Sequence, residues 1–299
     1  MDKSNWPSNL SHEAARAHFV GNLTAIGIEQ GEARREAELA FQFVTKMAAH
    51  ELLLNAKAVL SDQHAATLFA ILEQRRQRRP LQYALGEAYF CGLKFAVGPG
   101  VLIPRSDTET IVVAAAEYIK DKKTVTLLEV GAGSGAIVVT LLKQFPQLTA
   151  TAFEVSPQAA HFCRVNAICH GVAERLTLIE EDYLEGLAKL AASNSFELFL
   201  SNPPYIPIDV AATLAPEVIA HEPRLALLGG DPDGLSFYRN FAKLLPGLVA
   251  TSHAALMVEF GDGQGPSVRA LFEEAGWCDL RLLNDLSGRP RVLTSSGCK

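Results

Sequence analysis

Asn202-Pro203-Pro204-Tyr205 joins residue types that together can hold a planar NH2 group. Neither proline has a backbone N–H to donate, and each bars the residue before it from helical geometry, so the segment is stiff, extended and rich in free acceptors. The side-chain oxygen of Asn202 and the carbonyls of Pro203 and Pro204 can accept both hydrogens of an amide or an exocyclic amine. Tyr205 adds an aromatic face against which a flat group can lie. A proline turn that merely caps a strand would show the same four residues, so the tetrapeptide needs a second cluster to give it meaning.

That cluster is Glu129-Val130-Gly131-Ala132-Gly133-Ser134-Gly135. It follows an apolar run that reads as a strand and precedes one that reads as a helix, where glycines let the backbone turn sharply and approach a ligand without Cβ interference. A dinucleotide fingerprint is spaced G-x-G-x-x-G, whereas this one runs G-x-G-x-G after an acid, which argues against a nicotinamide oxidoreductase. An acid and close-packed glycines facing a helix start suit a ligand with an amino acid and a sulfonium better than a pyrophosphate. Glu154 ends the next strand, where a carboxylate can accept from two ribose hydroxyls. Asp182 and Tyr183 follow the third, placed to accept from an adenine amine and to pack on a base. Each of these is ordinary loop chemistry alone; at three successive strand ends on the face that carries Asn202 they reinforce one another.

Metal chemistry finds less support. His161, Cys163, Cys169 and His170 do not share one face of a helix from Pro157 to Gly171 and match no common zinc spacing, so no metal is expected. Asp231 and Asp233 stand in a Gly-Gly-Asp-Pro-Asp-Gly run with too few converging ligands for calcium, and a turn is expected there.

The elements that must position these residues follow from periodicity. Three helices are expected before residue 80: one from Ser11 to a stop at Gly27, one carrying Ala33, Ala37, Phe41, Val44 and Ala48, and one from Ser61 or Asp62 to Arg75-Arg76-Gln77-Arg78-Arg79. The arginines read first as cations offsetting a helix end, worth about 0.3–1 kcal/mol, and second as a contact for an acidic or RNA-bearing partner. Residues 81–103, with Tyr83, Tyr89, Phe90 and Phe95 among glycines, read as a β-hairpin linker. Ser106 and Glu109 have capping-box spacing at the start of a helix over Ile111 to Ile119. Strands at 124–130, 149–155, 175–180, 196–201 and 254–260 alternate with helices beginning near Gly135, Pro157, Gly234 and Pro266 and with a helical stretch at 184–193, which predicts a doubly wound α/β sheet, mostly parallel. Runs at 279–283 and 291–294 predict a closing antiparallel hairpin. The expected organisation is therefore a helical domain over 1–80, a linker over 81–103 and a catalytic domain over 104–299.

Composition bounds the function. With 27 Lys and Arg against 33 Asp and Glu, a net charge of −6 disfavours general binding to nucleic-acid backbone. Five cysteines with no C-x-x-C pair fit a reducing compartment, no apolar run approaches a membrane span, and the start Met1-Asp2-Lys3-Ser4-Asn5-Trp6-Pro7 carries no export address, so a cytoplasmic protein is expected.

Glu129 to Gly135 resembles the S-adenosylmethionine motif of class I methyltransferases, and Asn202 to Tyr205 is similar to the signature of enzymes that methylate planar amide or amine nitrogens. More narrowly, the chain resembles the release factor glutamine methyltransferases, the HemK family, through Pro80-Leu81-Gln82-Tyr83, Leu102 to Glu109, His221-Glu222-Pro223-Arg224 with Ala226-Leu227, Gly229-Gly230 with Asp233-Gly234-Leu235, and Val258-Glu259-Phe260-Gly261 with Gln264-Gly265. The resemblance covers nearly everything from residue 80 onward and implies a Rossmann-like class I methyltransferase sheet behind a helical domain that helps dock a protein substrate. It implies methylation of the glutamine in the Gly-Gly-Gln loop of class I peptide chain release factors, with S-adenosylmethionine consumed and S-adenosylhomocysteine released. In that reading Asn202, Pro203 and Tyr205 are catalytic. Glu129, Gly131, Ala132, Gly133, Gly135, Glu154, Asp182, Tyr183 and Asn202 bind the cofactor. Asn202, Pro203, Pro204, Tyr205, Arg105 and Glu109 meet the substrate, and the enzyme is a monomer without metal or direct nucleic-acid contact.

Ser106 stands where the family usually has proline, which points toward the sibling enzymes that methylate a glutamine of ribosomal protein L3, although Asp107-Thr108-Glu109 favours the release factor branch. Glu154 stands where aspartate is commoner, and still reaches ribose hydroxyls. The alternative from another class is an adenine amino methyltransferase, since the adenine amine presents the same two hydrogens; it calls for a basic groove that an acidic chain lacks.

Overall fold

The computed structural model describes Pro7, residues 9–190 and residues 195–298. The opening Met1–Trp6 and the end of the helical stretch expected at 184–193 lie outside the described residues. The chain divides into two compact units: Met1–Gly86 together with Pro216–His221, and Glu87–Ala215 together with Glu222–Lys299.

The first unit is helical. Its helices His12–Ala25 and Asp62–Arg76 begin where the Ser11 and Ser61 hydroxyls accept the backbone N–H of Ala14 and His64, satisfying donors that a helix start leaves open. Between them Gln30–Thr45 ends at Lys46 in the left-handed conformation, and a further helix, Ala49–Leu54, follows. The expected inward positions Ala15, Phe19, Leu23, Ala33, Ala37, Phe41, Leu68 and Leu72 form its core.

The arginine run departs from a solvated helix end. Arg75 is 1% exposed, and its guanidinium donates to Glu36 Oε2 at 2.7 Å and Oε1 at 2.8 Å and to Glu217 Oε1 at 3.2 Å. Arg78 donates to the other oxygen of Glu217 at 2.8 Å. Glu217 lies in the helix Pro216–His221, the segment that rejoins this unit from far along the chain. A buried guanidinium needs carboxylate partners, and no spacing rule links residue 75 to residue 217.

The hairpin is shorter than expected. Leu81–Leu85 form a helix that belongs to the first unit, capped by Gly86 at φ +73°, and the hairpin pairs only β1 (Glu87–Phe90) with β2 (Leu93–Ala96). Aromatic side chains suit a strand, but Leu81 and Tyr83 are buried two apart on a single turn of helix, so local periodicity could not decide.

The second unit is built on a sheet of β3 (Val125–Val130), β4 (Leu148–Phe153), β5 (Leu176–Ile179), β6 (Leu198–Ser201), β7 (Ala255–Glu259), β9 (Arg281–Asn284) and β10 (Pro290–Ser295), with a separate small pair formed by β8 (Trp277–Cys278) and β11 (Gly297–Cys298). Strand order is β5-β4-β3-β6-β7-β10-β9; the first five are parallel and β10 runs antiparallel to both β7 and β9. The mostly parallel sheet and its antiparallel closing hairpin match the expected class. Crossover helices Ala136–Gln144, Pro157–Cys169, Ser236–Leu244 and Gly265–Glu274 pack their apolar stripes on the sheet. Every residue of β6 and β7 is buried, as expected of strands covered on both faces, and each is apolar up to its last residue, Ser201 or Glu259. Because the chain runs outward from β3 to β4 and then returns to β6 on the other side, a crevice opens at the carboxyl ends of these strands.

Candidate active site

The crevice forms where β3 and β6 end side by side. The Ser201 hydroxyl donates to the Val130 carbonyl at 2.7 Å, tying the last residue of one strand to the last of the other. The chain then turns from β3 through Gly131 and Gly133, both at positive φ, while Gly131 and Ala132 donate to the Phe153 carbonyl at 2.9 and 3.0 Å. A Cβ built on Gly131 would lie 3.9 Å from the Asn202 carbonyl. Glycine loop and proline tetrapeptide are thus neighbours in space.

A recess of about 230 Å3 follows, lined by Gly131, Gly133, Glu154, Asp182 and Tyr183 on one side and by Asn202, Pro203 and Pro204 on the other. A smaller hollow beside it takes Glu129, Ala132, Arg105 and Thr108 and shares Gly131, Gly133 and Asn202. Gly135 lines neither. It sits at φ +80° beneath the loop, and an added Cβ would come 2.9 Å from Cys163 Sγ, so it serves the packing of the turn.

The acids differ in their surroundings. Glu154 accepts from Gly133 N–H and Ser156 N–H, each at 2.8 Å, which locks its orientation and leaves lone pairs toward the recess. Burial raises its pKa despite these bonds. Glu129 is almost wholly buried, neither carboxylate oxygen has a partner at hydrogen-bonding distance among the described residues, and burial holds its pKa well above the carboxylate range against the lowering pull of the Val138 N–H. Asp182 turns one oxygen to Leu184 N–H at 2.9 Å. Tyr183 rests against Phe237 with centroids 5.0 Å apart, and burial pushes its hydroxyl up to about 12.

Tyr205 points elsewhere. Its hydroxyl donates to Glu259 Oε1 at 3.1 Å, and its carbonyl accepts from Gln264 Nε2 at 2.9 Å. A Cβ on Gly234 would come within 2.2 Å of that carbonyl, which is why glycine stands there. Arg105 is paired with Glu222, whose second oxygen accepts the Ile103 N–H at 3.1 Å, so the acid pins the stretch leading to the smaller hollow.

Ser106 and Glu109 form no capping box. Ser106–Thr108 is a short 3-10 turn, the helix begins at Glu109 (Glu109–Ile119), and Glu109 accepts the Cys91 N–H at 2.7 Å. The box is lost because the Glu109 carboxylate is turned to Cys91 rather than back to Ser106; the hydroxyl of Thr108, in turn, is engaged with Glu259 and Asn202 rather than with the helix start. Glu109 lines neither hollow. Asp231 and Asp233 bind Arg239 around a tight turn, as a turn reading requires. Among the described residues no group of three or more His, Cys, Asp or Glu could hold a metal ion.

Known proteins match this chain along most of its length. Residues 14–86 match the PrmC N-terminal domain and residues 107–230 the methyltransferase small domain. The release factor glutamine methyltransferase of Geobacter sulfurreducens is 39% identical over 273 residues, spanning 91% of this chain and 92% of its own. That of Cereibacter sphaeroides is 37% identical over 95% of this chain and 97% of its own. The chain belongs to the release factor glutamine methyltransferase family.

A solved methyltransferase from Pyrococcus furiosus shares the fold, with a TM-score of 0.52 at 16% identity over 75% of this chain and 98% of that one. The chain is thus a methyltransferase of the release factor glutamine methyltransferase family, and the residues that its sequence leaves unassigned are Thr108, Glu222 and Glu259. A signal for Glu259 existed: it ends β7 as Glu129 nearly ends β3 and Glu154 follows β4. Thr108 gave none, because a threonine beside a helix start ordinarily caps it. Among the described residues, no helix is long and apolar enough to cross a membrane.

Proposed function

We propose that the protein transfers the methyl group of S-adenosylmethionine to the side-chain amide nitrogen of the glutamine in the Gly-Gly-Gln loop of class I release factors, acting as a monomer in the cytoplasm on protein rather than nucleic acid. One observation carries the reading: the acceptors of the proline tetrapeptide and the glycine loop with Glu154 line the same recess, with a Cβ built on Gly131 only 3.9 Å from the Asn202 carbonyl. The residues fit such a cofactor. The two buried oxygens of Glu129 have no partner at hydrogen-bonding distance among the described residues, and an ammonium group would satisfy them; Glu154 keeps lone pairs for vicinal hydroxyls, and Asp182 and Tyr183 offer an acceptor and a ring for a purine.

When bound, the cofactor supplies an electrophilic methyl on a sulfonium. The chain's own work is on the nucleophile. An amide nitrogen is weak because its lone pair is delocalised into the carbonyl. With Asn202 Oδ1 and the Pro203 carbonyl accepting its two hydrogens, the nitrogen is held in one orientation, and positive charge growing on it is met by two fixed dipoles. Alignment of this kind supplies about 7–11 kcal/mol in favourable systems. Held by Asn202 and Pro203, the amide nitrogen would take the methyl that the cofactor supplies, the cofactor departing as the neutral thioether S-adenosylhomocysteine, and would shed its proton to water afterwards, so no general base is needed before transfer.

The test offers methyl-labelled S-adenosylmethionine with purified release factor, ribosomal protein L3, and DNA and RNA, and locates the label by mass spectrometry. Label on the Gly-Gly-Gln glutamine is expected. Label on L3 alone or on nucleic acid would overturn the assignment.

A further inference from the structure

Thr108 has one hydroxyl hydrogen and stands between two groups. Its Oγ1 lies 2.7 Å from Glu259 Oε2 and 2.9 Å from Asn202 Nδ2. An ionised carboxylate has no hydrogen to give, so the hydroxyl donates to Glu259 and must accept from Asn202. Only the amide nitrogen of Asn202 can make that donation. A carboxamide has nearly the same shape in both orientations, and its neighbours' hydrogens decide between them. Here they place Nδ2 on Thr108 and leave Oδ1 with no hydrogen-bond partner among the described residues, at the rim of the recess. Thr108 and Glu259 are both buried, so water does not compete for the hydroxyl.

We propose that Thr108 and Glu259 are positioning residues that lock the Asn202 carboxamide with its oxygen outward, so that the proline tetrapeptide accepts hydrogen bonds rather than donating one. The inference rests on the amide-methylation reading and deepens it. Protonating Glu259 on Oε2 reverses the lock: the acid donates to Thr108, the hydroxyl turns its hydrogen to Asn202, and the amide flips to present NH2 toward an incoming NH2. Tyr205 shares the device, since its hydroxyl occupies the second oxygen of Glu259 at 3.1 Å.

The acid is poised for such a change. Burial raises Glu259 to about 7, against the bonds from Thr108 and Tyr205 and the charge of Arg291, which lower it. Arg291 faces it from β10, itself 3.6 Å from Asp285, and Asp107 adds a like charge. Tyr238, from the helix behind, donates its hydroxyl to the Glu259 carbonyl at 2.7 Å and stays neutral, its pKa raised by burial. Glu259 is ionised above about pH 7 and the lock holds; below it the lock opens.

The test measures kcat on full-length release factor at saturating cofactor and substrate from pH 6 to 8.5. In the wild type kcat falls toward tenfold per pH unit below about pH 7. Thr108→Val lowers kcat about 10–100-fold, the range for outer partners of a functional ligand, with cofactor affinity by calorimetry unchanged; Thr108→Ser keeps wild-type kcat, and Glu259→Gln is slow with a flat profile. A flat wild-type profile, a Thr108→Val enzyme within threefold of wild type, or equal loss in Thr108→Ser would each overturn the lock. Should the wild type label no protein amide at all, the functional reading fails separately. The Asn202 side-chain amide signal in 15N-asparagine-labelled protein still decides the lock: it shifts with a midpoint near 7 in the wild type and not in Thr108→Val, and a wild-type signal that ignores pH refutes it.

Discussion

Asn166 offers the sharpest stability test of how the glycine loop is held. Buried in the helix Pro157–Cys169, its side chain accepts from Ala96 N–H at 2.7 Å and donates through Nδ2 to the carbonyls of Ala96 at 3.0 Å and Ser134 at 2.9 Å. One amide thus joins the hairpin strand β2 to the loop that lines the recess. In Asn166→Ala, Ser134 is too buried for water to reach its carbonyl, which costs about 1–3 kcal/mol, and the two bonds to the half-buried Ala96 cost about 0.5–1.5 kcal/mol each. The sum is about 2–6 kcal/mol. Asn166→Asp keeps the shape, yet a carboxylate facing two carbonyls repels both, so it loses at least as much at pH 7.5 and regains part at low pH, where a protonated acid can donate once. Urea unfolding reads both changes. Asn166→Asp within 1 kcal/mol of wild type at pH 7.5 would refute the idea that hydrogen-bond direction, rather than packing, holds the loop.

Asn202→Ala should lower turnover about 10²–10³-fold, as for removal of one preorganised partner of a transition state; undiminished turnover would remove Asn202 from its role. Glu154→Ala should weaken the cofactor itself, and calorimetry with unchanged affinity would count against that assignment. The raised pKa of Glu129 sets a sign for stability: the folded state binds its proton more tightly than the unfolded one, so stability present below the ordinary carboxylate value is lost as pH rises. Thermal midpoints from pH 5 to 8 should therefore fall more in the cofactor-free wild type than in Glu129→Gln, and parallel curves would contradict this.

What could be read before the fold was known depended on whether the signal was local. Parallel strands declare themselves by apolar runs between helical periods, and Glu129, Glu154, Asp182 and Asn202 by standing where such runs end. Glycines did the same at Gly131 and Gly133, where a turn needs them. Ser106 and Glu109 misled because capping-box spacing is a local rule, and Thr108 between them is held by Glu259, 151 residues away. Arg75 reads as a solvated cation until Glu36 and Glu217 surround it. The missed residues are polar groups whose partners lie distant along the chain, and periodicity carries no information about those.

The helix Pro216–His221 has a practical consequence for dissecting the protein. Severing the chain after Gly86 would deprive Arg78 of the carboxylate it shares with Arg75, and would strand that carboxylate on the other fragment. A chimera exchanging helical units between relatives must therefore carry two cassettes, the first eighty-six residues and the six around Glu217, inherited from the same parent.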